Sequence, residues 1–340
     1  MTRQQDMGQR AAVVLCVSAA LMGPGSLAGA AAATSAAGPS SRPDALVYLA
    51  NLHSDTVSVV DTGTGMVVDS VAVGDGPDSV AVSPDGSRVY VTNSASDTVS
   101  VIDARTRTVI AAVAVGDEPS RVTISPDNQN VYVANVGSDN VSVISTRTRA
   151  VTDTIAVGDA PLGVTVTPDG RTLYVANAAS DTVSVVRTAT GSVTDSIPVG
   201  SGPTALVLTP DGRHLYVSNL TSDDVSVVDV HDGVESDRIP VGDQPAGIGA
   251  RPDGRQVYVA NIGSDNVSVI STRGRAVTDT IAVGDGPNGL AVGPGGSRVY
   301  VSNFDSDTLS VIDTSTARTT NTVAVGDGPT GVAVAQAKRA

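Results

Sequence analysis

The stretch Arg88-Val-Tyr-Val-Thr-Asn-Ser-Ala-Ser-Asp-Thr-Val-Ser-Val-Ile-Asp103 contains two valine-rich runs separated by a polar turn. Its tyrosine, its asparagine and its Ser-Asp pair recur every 42 residues along the chain. The tyrosines of this series are Tyr48, Tyr90, Tyr132, Tyr174, Tyr216, Tyr258 and Tyr300. A fixed period of this length over seven copies, without insertion or deletion, indicates a repeat protein.

Each repeat contains four strand-like runs, which we call A to D in chain order. In the second repeat they are residues 79–83, 88–92, 98–102 and 109–115. Pro84-Asp85-Gly86 follows strand A, and this combination suits a tight turn whose last residue needs a positive φ. Four antiparallel strands in about 40–45 residues are typical of one blade of a β-propeller.

The two ends of the repeat array predict how the ring closes. The array begins at a strand B, residues 46–50, and ends on an additional strand A, residues 331–335. That last strand is expected to become the inner strand of the N-terminal blade, which leaves no exposed edge at the junction. The sequence therefore predicts an all-β, seven-bladed β-propeller formed as a single domain by residues 45–336.

The N-terminal thirty residues predict a secretory signal peptide. Arg3 and Arg10 precede an apolar run at residues 11–22, and small residues ending at Ala30 follow a Gly-Pro-Gly break. Twelve apolar residues are too few to span a bilayer, so no transmembrane segment is predicted. We therefore expect a secreted or cell-surface protein that is processed after Ala30, with Ala33 as a second cleavage position.

The remaining segments outside the array carry little further information. Residues 31–44 are rich in Ala, Ser, Gly and Pro and are predicted to be a flexible lead-in, and residues 337–340 form a tail. The sole cysteine, Cys16, lies within the predicted signal peptide. The mature chain would therefore have neither a disulfide nor a thiolate metal site.

The repeats also resemble a known family. Tyr90-Val-Thr-Asn93 and Tyr132-Val-Ala-Asn135, each followed by Ser-Asp-x-Val-Ser-Val and then Val-Gly-x-x-Pro, are similar to the YVTN-type β-propeller repeat. The resemblance covers all seven units and implies a secreted or cell-surface bacterial propeller, a group that includes surface-layer proteins. Related propellers range from structural modules to lactonases, lyases and redox-enzyme subunits, so it implies no single activity.

Candidate site residues are those at which the copies differ. The predicted strand order places the D–A and B–C loops on one end of the ring, here called the upper face, and the other loops on the lower face. The residues that depart from the repeat on the upper face, and are therefore predicted to bind a ligand, are His53, Asp78, Glu118, Arg121, Phe304 and Asp305. Because they lie on adjacent blades, His53 and Asp305 are the candidate catalytic base and its orienting partner.

The inventory of reactive side chains limits the enzyme interpretations. His214 and His231 fall on lower-face loops, away from His53, so a three-histidine metal site is not expected. The only two glutamates, Glu118 and Glu235, lie on opposite faces. These observations favour a monomeric, non-catalytic binding or scaffold module, of which a surface-layer component is one form. The alternative is a lactonase-like hydrolase or lyase that acts on a small molecule at the upper face.

Charge restricts the partners of the protein. A formal net charge of −14 argues against nucleic acid, which needs a clustered basic surface. Like charges gathered on the upper face attract cations, so we expect weakly bound calcium or a cationic protein or cell-envelope partner there, and no other cofactor. If these acids are not simply turn caps, the candidate ligands are Asp55, Asp97, Asp139, Asp181, Asp223, Asp265 and Asp307.

Overall fold

The computed structural model describes residues 45–336, which form seven four-stranded antiparallel sheets arranged as the blades of a β-propeller. The predicted fold class is confirmed. Beyond the 28 strands, these residues include a short 3-10 helix at Ile262–Ser264 and no helix able to cross a membrane. The predicted signal peptide (1–30), lead-in (31–44) and tail (337–340) lie outside the described residues.

The blades are numbered in chain order, and each runs from its inner to its outer strand. Blade 1 contains β28 (Pro329–Gln336), β1 (Ala45–Asn51), β2 (Thr56–Asp61) and β3 (Met66–Ala72). Blades 2 to 4 contain β4 (Pro77–Val82), β5 (Arg88–Asn93), β6 (Thr98–Asp103), β7 (Thr108–Ala114), β8 (Pro119–Ile124), β9 (Asn130–Asn135), β10 (Asn140–Ser145), β11 (Ala150–Ala156), β12 (Pro161–Val166), β13 (Thr172–Asn177), β14 (Thr182–Arg187) and β15 (Ser192–Pro198). Blades 5 to 7 contain β16 (Pro203–Leu208), β17 (His214–Asn219), β18 (Asp224–Asp229), β19 (Val234–Pro240), β20 (Pro245–Ala250), β21 (Gln256–Asn261), β22 (Asn266–Ser271), β23 (Ala276–Ala282), β24 (Pro287–Val292), β25 (Arg298–Asn303), β26 (Thr308–Asp313) and β27 (Arg318–Ala324).

The C-terminal strand closes the ring as predicted. β28 pairs antiparallel with β1, with Ala45 opposite Gln336 and Tyr48 opposite Ala333. It also packs between the inner strands of blades 7 and 2, β24 and β4. The first and last strands of the array are therefore held in one sheet, which is how the ring avoids a raw edge.

The turn that follows each inner strand explains the Pro-Asp-Gly motif. In blade 2, the Gly86 N–H donates to the Ser83 carbonyl over 2.7 Å, and the Ser83 hydroxyl donates to Asp85 Oδ1 over 2.6 Å. Gly86 has a φ of +65°, and Asn128 holds the corresponding position in blade 3 with a φ of +60°. Glycine and asparagine are the residues that tolerate this region, as the sequence predicted.

The tyrosine of each repeat fills the space between blades. Tyr90 of blade 2 is almost fully buried and packs with Val122 and Ile124 of the inner strand of blade 3 and with Val131 and Val133 of its second strand. Burial raises the pKa of the Tyr90 hydroxyl, so the phenol stays neutral. Each interblade core therefore combines one aromatic ring with valine-rich strands from two sheets.

The asparagine of each repeat joins two strands within a blade. Fully buried Asn93 donates through Nδ2 to the Thr98 and Ser100 hydroxyls, each over 3.0 Å. The bond to the serine of the third strand recurs in every blade, for example from Asn51 to Ser58 over 2.9 Å. This amide therefore ties the second strand of each blade to the third through side chains.

Candidate functional site

The upper face is assembled from loops of neighbouring blades that lie against each other. The loop after β27 leads into β28, the inner strand of blade 1, and therefore lies beside the B–C loop of that blade. The Leu52 N–H donates to the Gly328 carbonyl over 2.9 Å, and the His53 N–H donates to the Asp327 carbonyl over 3.2 Å. These backbone bonds fix where the side chains of both loops emerge.

The seven B–C aspartates hold the loops that connect successive blades. Asp55 Oδ1 accepts a hydrogen bond from the Gly76 N–H over 2.9 Å. The same bond is made by Asp97, Asp139, Asp181, Asp223, Asp265 and Asp307. All seven adopt left-handed backbone conformations, with φ between 51° and 55°. Within residues 45–336, no group of three or more His, Cys, Asp or Glu side chains is arranged to hold a metal ion.

His53 lies at the boundary between blades 7 and 1. Its Nδ1 atom is 3.4 Å from Asp327 Oδ1, a distance that is long for a hydrogen bond but within range for an ion pair when the imidazole is protonated. The imidazole ring meets the buried Phe304 edge to face, with centroids 5.2 Å apart and planes inclined by 73°. Phe304 supports one side of the ring, and the imidazole remains 45% exposed to solvent.

Asp305 is held against a different loop from His53. Its backbone N–H donates to the Asp285 carbonyl over 3.2 Å, in the loop between blades 6 and 7. Burial, followed by repulsion from Asp265, Asp285 and Asp307, raises the pKa of the Asp305 carboxyl. Among the ion pairs of residues 45–336, His53 is joined to Asp327 and not to Asp305.

The partner of His53 could have been found from the sequence. Asp327 occupies the Gly-Asp position of the repeat, as Asp75 does, so it does not stand out as a departure between copies. The signal is topological: the strand that follows Asp327 completes blade 1, and its loop must therefore reach the loop that carries His53.

A second group of charged residues lies at the upper ends of two adjacent inner strands. Asp78 follows the first residue of β4, and Arg121 is the third residue of β8. Burial raises the pKa of the Asp78 carboxyl, and the nearby Arg121 guanidinium opposes that shift. Glu118 has an exposed side chain, and its backbone N–H donates to Asp97 Oδ1 over 2.9 Å.

The position of Asp78 is one where other blades carry hydrogen-bond donors. The Ser120 hydroxyl donates to the Leu162 carbonyl of the next blade over 2.7 Å, and the Thr330 hydroxyl donates to the Pro77 carbonyl over 3.2 Å. An ionised carboxylate has no proton to donate to such a carbonyl. Asp78 is half-buried at this position, and its desolvation favours the neutral form of the carboxyl.

The upper face thus combines two kinds of chemistry. An imidazole with a carboxylate neighbour is suited to accept a proton from water. A desolvated carboxyl beside a guanidinium can donate a proton or stabilise negative charge. His53, Asp78 and Arg121 lie on blades 1, 2 and 3, whose inner strands are neighbours in the ring.

These features define the class of protein, a seven-bladed β-propeller with titratable groups gathered on one end of the ring. The chain belongs to the lactonase family of seven-bladed β-propellers. The family model described as "Lactonase, 7-bladed beta-propeller" matches residues 41–199, 189–273 and 233–335. The three overlapping matches extend across the whole propeller.

Solved structures share the architecture. Hydrazine synthase of Kuenenia stuttgartiensis is 27% identical, with a TM-score of 0.72 over 78% of this chain and 92% of that one. A putative 6-phosphogluconolactonase from Bacteroides uniformis is 18% identical, with a TM-score of 0.74 over 86% and 99% of the two chains. A functionally unknown protein from Desulfotomaculum acetoxidans is 19% identical, with a TM-score of 0.77 over the same shares. The last two show the fold alone, and no curated protein sequence matches significantly.

Proposed function

We propose that the protein is a lactonase-type hydrolase that opens a small cyclic ester at the upper face. The observation that carries this proposal is the family match, which extends from residue 41 to residue 335. The structural similarity to a putative 6-phosphogluconolactonase agrees with it. Family membership therefore favours the hydrolase alternative over the non-catalytic scaffold that the side-chain inventory alone suggested.

In the proposed reaction, His53 is the general base. Asp327 faces Nδ1 and favours a proton on that atom, which leaves Nε2 to accept a proton from water. The water oxygen then attacks the lactone carbonyl carbon, and the ring C–O bond breaks. The alkoxide that leaves takes the proton back from the imidazolium, so that one lactone and one water yield one hydroxy acid.

The proposed role of Asp78 and Arg121 is to stabilise the negative charge that develops on the carbonyl oxygen. The positive charge of the Arg121 guanidinium stabilises a negative charge that develops close to it. Asp78 in its neutral form can donate a hydrogen bond to the same oxygen, because burial raises the pKa of its carboxyl. The pair would lower the barrier to addition by stabilising the tetrahedral intermediate.

The test is hydrolysis of a panel of five- and six-membered lactones, with and without sugar hydroxyls, followed by acid release at constant pH. We expect His53→Ala to lower kcat/KM by about 100-fold or more, the usual contribution of a general base. The matched control is His231→Ala, which removes a histidine of the lower face and should leave the rate unchanged.

Two outcomes would overturn parts of the proposal. Hydrolysis that survives in His53→Ala at the wild-type rate would remove His53 as the base. Wild-type protein without hydrolysis above the buffer rate for every lactone would return the scaffold interpretation to first place.

A binding or surface-layer role is the second candidate, and one observation favours it. Residues 132–159 and 258–285 differ only at Val136/Ile262 and Thr148/Gly274, which gives two blades nearly identical outer surfaces. Repeated surfaces suit multivalent attachment.

We also propose that the protein acts outside the cell, from the pattern of residues 1–30. Fractionation of native cells into wall, membrane and medium tests both points.

A further inference from the structure

On the lower face, an arginine forms an ion pair with the preceding blade at two boundaries, whereas blades 1, 4 and 5 carry glycine at that position. The last residue of each C–D loop lies against the outer strand of the preceding blade. Arg107 of blade 2 reaches Asp69 of blade 1 at 3.5 Å, and Arg275 of blade 6 reaches Asp237 of blade 5 at 3.9 Å. At these boundaries a long cationic side chain crosses the groove between two blades.

Between blades 7 and 1, this position is occupied by glycine. Gly65 takes the place of Arg107, and its left-handed φ of +67° is close to the +56° of Arg107. Its neighbour on blade 7 is Asn321, whose Nδ2 atom would lie 2.5 Å from a Cβ at Gly65. A cavity of about 250 Å³ lies at this boundary, on the lower face.

Arg298 of blade 7 forms one wall of the cavity, and its guanidinium bonds to blade 1. In blade 2, Arg88 forms an ion pair with Asp103, its partner across the strands, at 2.8 Å. Arg298 has the corresponding partner Asp313, yet its Nη1 donates to the Thr62 carbonyl of blade 1 over 2.9 Å. No carboxylate forms an ion pair with Arg298 in the described part of the chain.

Asp313 accepts hydrogen bonds within its own turn, as Asp103 does, but unlike Asp103 it forms no ion pair with the arginine across the strands. Its carboxylate accepts hydrogen bonds from the Ser315 hydroxyl over 2.6 Å and from the Ser315 and Thr316 N–H groups. These bonds hold the pKa of Asp313 below its usual value, so the carboxylate is satisfied within its own turn. Arg298 therefore lines the cavity with a hydrogen bond to a neutral carbonyl.

The lining of the cavity is partly apolar and partly polar. Tyr300, Val60, Leu309 and Val323 form its apolar part and are themselves buried. Thr62, Thr64 and Asn321 add polar groups around the opening. A guanidinium at the rim beside a partly apolar wall fits a small molecule with one anionic end and a compact apolar body.

We propose that the cavity between blades 7 and 1 binds a small organic monocarboxylate, with its carboxylate on Arg298 and its apolar body against Tyr300. Its volume is below the roughly 300–1,000 Å³ typical of sites for drug-sized ligands, so the ligand is a small one. A molecule bound there contacts both blades that the C-terminal strand brings together. Its binding therefore stabilises the closed ring by mass action.

The site does not depend on the hydrolase proposal, because its residues lie on the opposite face from His53. Benzoate is the probe, and benzamide is the uncharged molecule of the same shape. In calorimetric titrations at constant ionic strength we expect saturable binding of benzoate, with a Kd below about 10 mM, and at least tenfold weaker binding of benzamide. Benzoate should also raise the melting temperature.

Two substitutions locate the site. Arg298→Gln should raise the Kd for benzoate by about tenfold or more, the order expected for a lost charge-assisted hydrogen bond. Arg88→Gln removes the equivalent arginine of blade 2, which is already paired, and should leave the Kd unchanged. His53→Ala should also bind benzoate as the wild type does, whether or not it hydrolyses lactones.

A third substitution fills the cavity without changing its charge. Gly65→Gln introduces a long uncharged side chain at this left-handed position, a conformation that Gln244 also adopts with a φ of +53°, and it should abolish benzoate binding while the protein stays folded. Wild-type protein that shows no saturable binding would overturn the proposal. So would equal losses of affinity in Arg298→Gln and Arg88→Gln, or full affinity in a folded Gly65→Gln protein.

Discussion

Asp55 Oδ1 accepts a hydrogen bond of 2.9 Å from the N–H of Gly76, a residue 21 positions further along the chain. The backbone carbonyl of Asp55 also accepts one from the Val73 N–H over 3.0 Å. One aspartate thus holds both ends of the loop that carries the chain from blade 1 to blade 2. Because all seven blades repeat the side-chain bond, this contact sets the spacing of the ring.

Asp55→Ala should lower the free energy of unfolding by about 0.5–1.5 kcal/mol, the usual net value of one hydrogen bond. Asp55→Asn is the matched control. Asparagine tolerates the left-handed conformation and keeps an acceptor oxygen, so its effect should stay within about 0.5 kcal/mol. Chemical denaturation measures both values. Equal losses in the two variants would mean that the charge, and not the hydrogen bond, is what matters.

Calcium binding at this ring is a separate prediction. If the B–C aspartates also attract calcium, adding it to chelator-treated protein at low salt should raise the melting temperature. Asp55→Asn should reduce that rise without lowering the stability of the calcium-free protein. A melting temperature indifferent to both calcium and added salt would show that these acids serve only as loop clamps.

Asp78 should make the protein less stable as the pH rises. Burial raises the pKa of its folded-state carboxyl above the unfolded value of 3.8, so the folded state holds this proton more tightly. The stabilisation is complete below the unfolded pKa and is lost as the pH rises through the folded one. Asp78→Asn should therefore be more stable than wild type at pH 7, by about 1 kcal/mol or more.

The measurement for Asp78 is the melting temperature of both proteins between pH 3 and pH 8. The difference between Asp78→Asn and wild type should grow with pH, and it should be smallest at the acid end. A difference that stays constant across this range would show that Asp78 has the same pKa in the folded and unfolded chain.

Removing residues 331–340 should prevent the propeller from folding to a closed ring. Blade 1 would lose its inner strand, the backbone hydrogen bonds along β1 and the packing of β28 against β24 and β4. Each lost hydrogen bond costs about 1 kcal/mol in addition to the exposed apolar surface. We expect no cooperative thermal transition, whereas a chain that ends at Gln336 should melt as the full protein does.

Close approach of inner strands should make Gly289→Ala destabilising. A Cβ at Gly289 would meet the Thr330 carbonyl of the next blade, whose oxygen also accepts the Ser302 hydroxyl. Overpacking of this kind costs about 1–3 kcal/mol. Gly274→Ala is the control, because its nearest neighbour is Ser271 Oγ at 3.6 Å, an ordinary contact. Denaturation midpoints should separate the two variants clearly.

The fold was predictable because the seven copies of the repeat can be aligned with one another within a single chain. Tyr90 and its copies locate one strand in each unit, Pro84-Asp85-Gly86 locates a turn, and the unmatched strand at residues 331–335 predicts the closure. Each of these signals is local and recurs seven times. An error in assigning the strands of one repeat would therefore be visible as a disagreement with the other six.

The side-chain partners were less predictable, because they depend on which loops of different blades touch. His53 was expected to pair with Asp305, but the loop before β28 places Asp327 beside it instead. Arg298 and Arg88 occupy the same position of the repeat, and each lies opposite an aspartate across the strands. Only the structure shows that the Arg298 guanidinium bonds the Thr62 carbonyl and not Asp313.

The pairing of β28 with β1 has a consequence for the order of synthesis. On the ribosome, β1 emerges among the first strands of the array and β28 is the last to emerge. Until then, the inner edge of the apolar strand β1 has no partner in its own chain, and exposed edges of this kind are templates for pairing with another molecule. Nascent chains should therefore be most prone to aggregate, and most dependent on chaperones, just before their final strand is made.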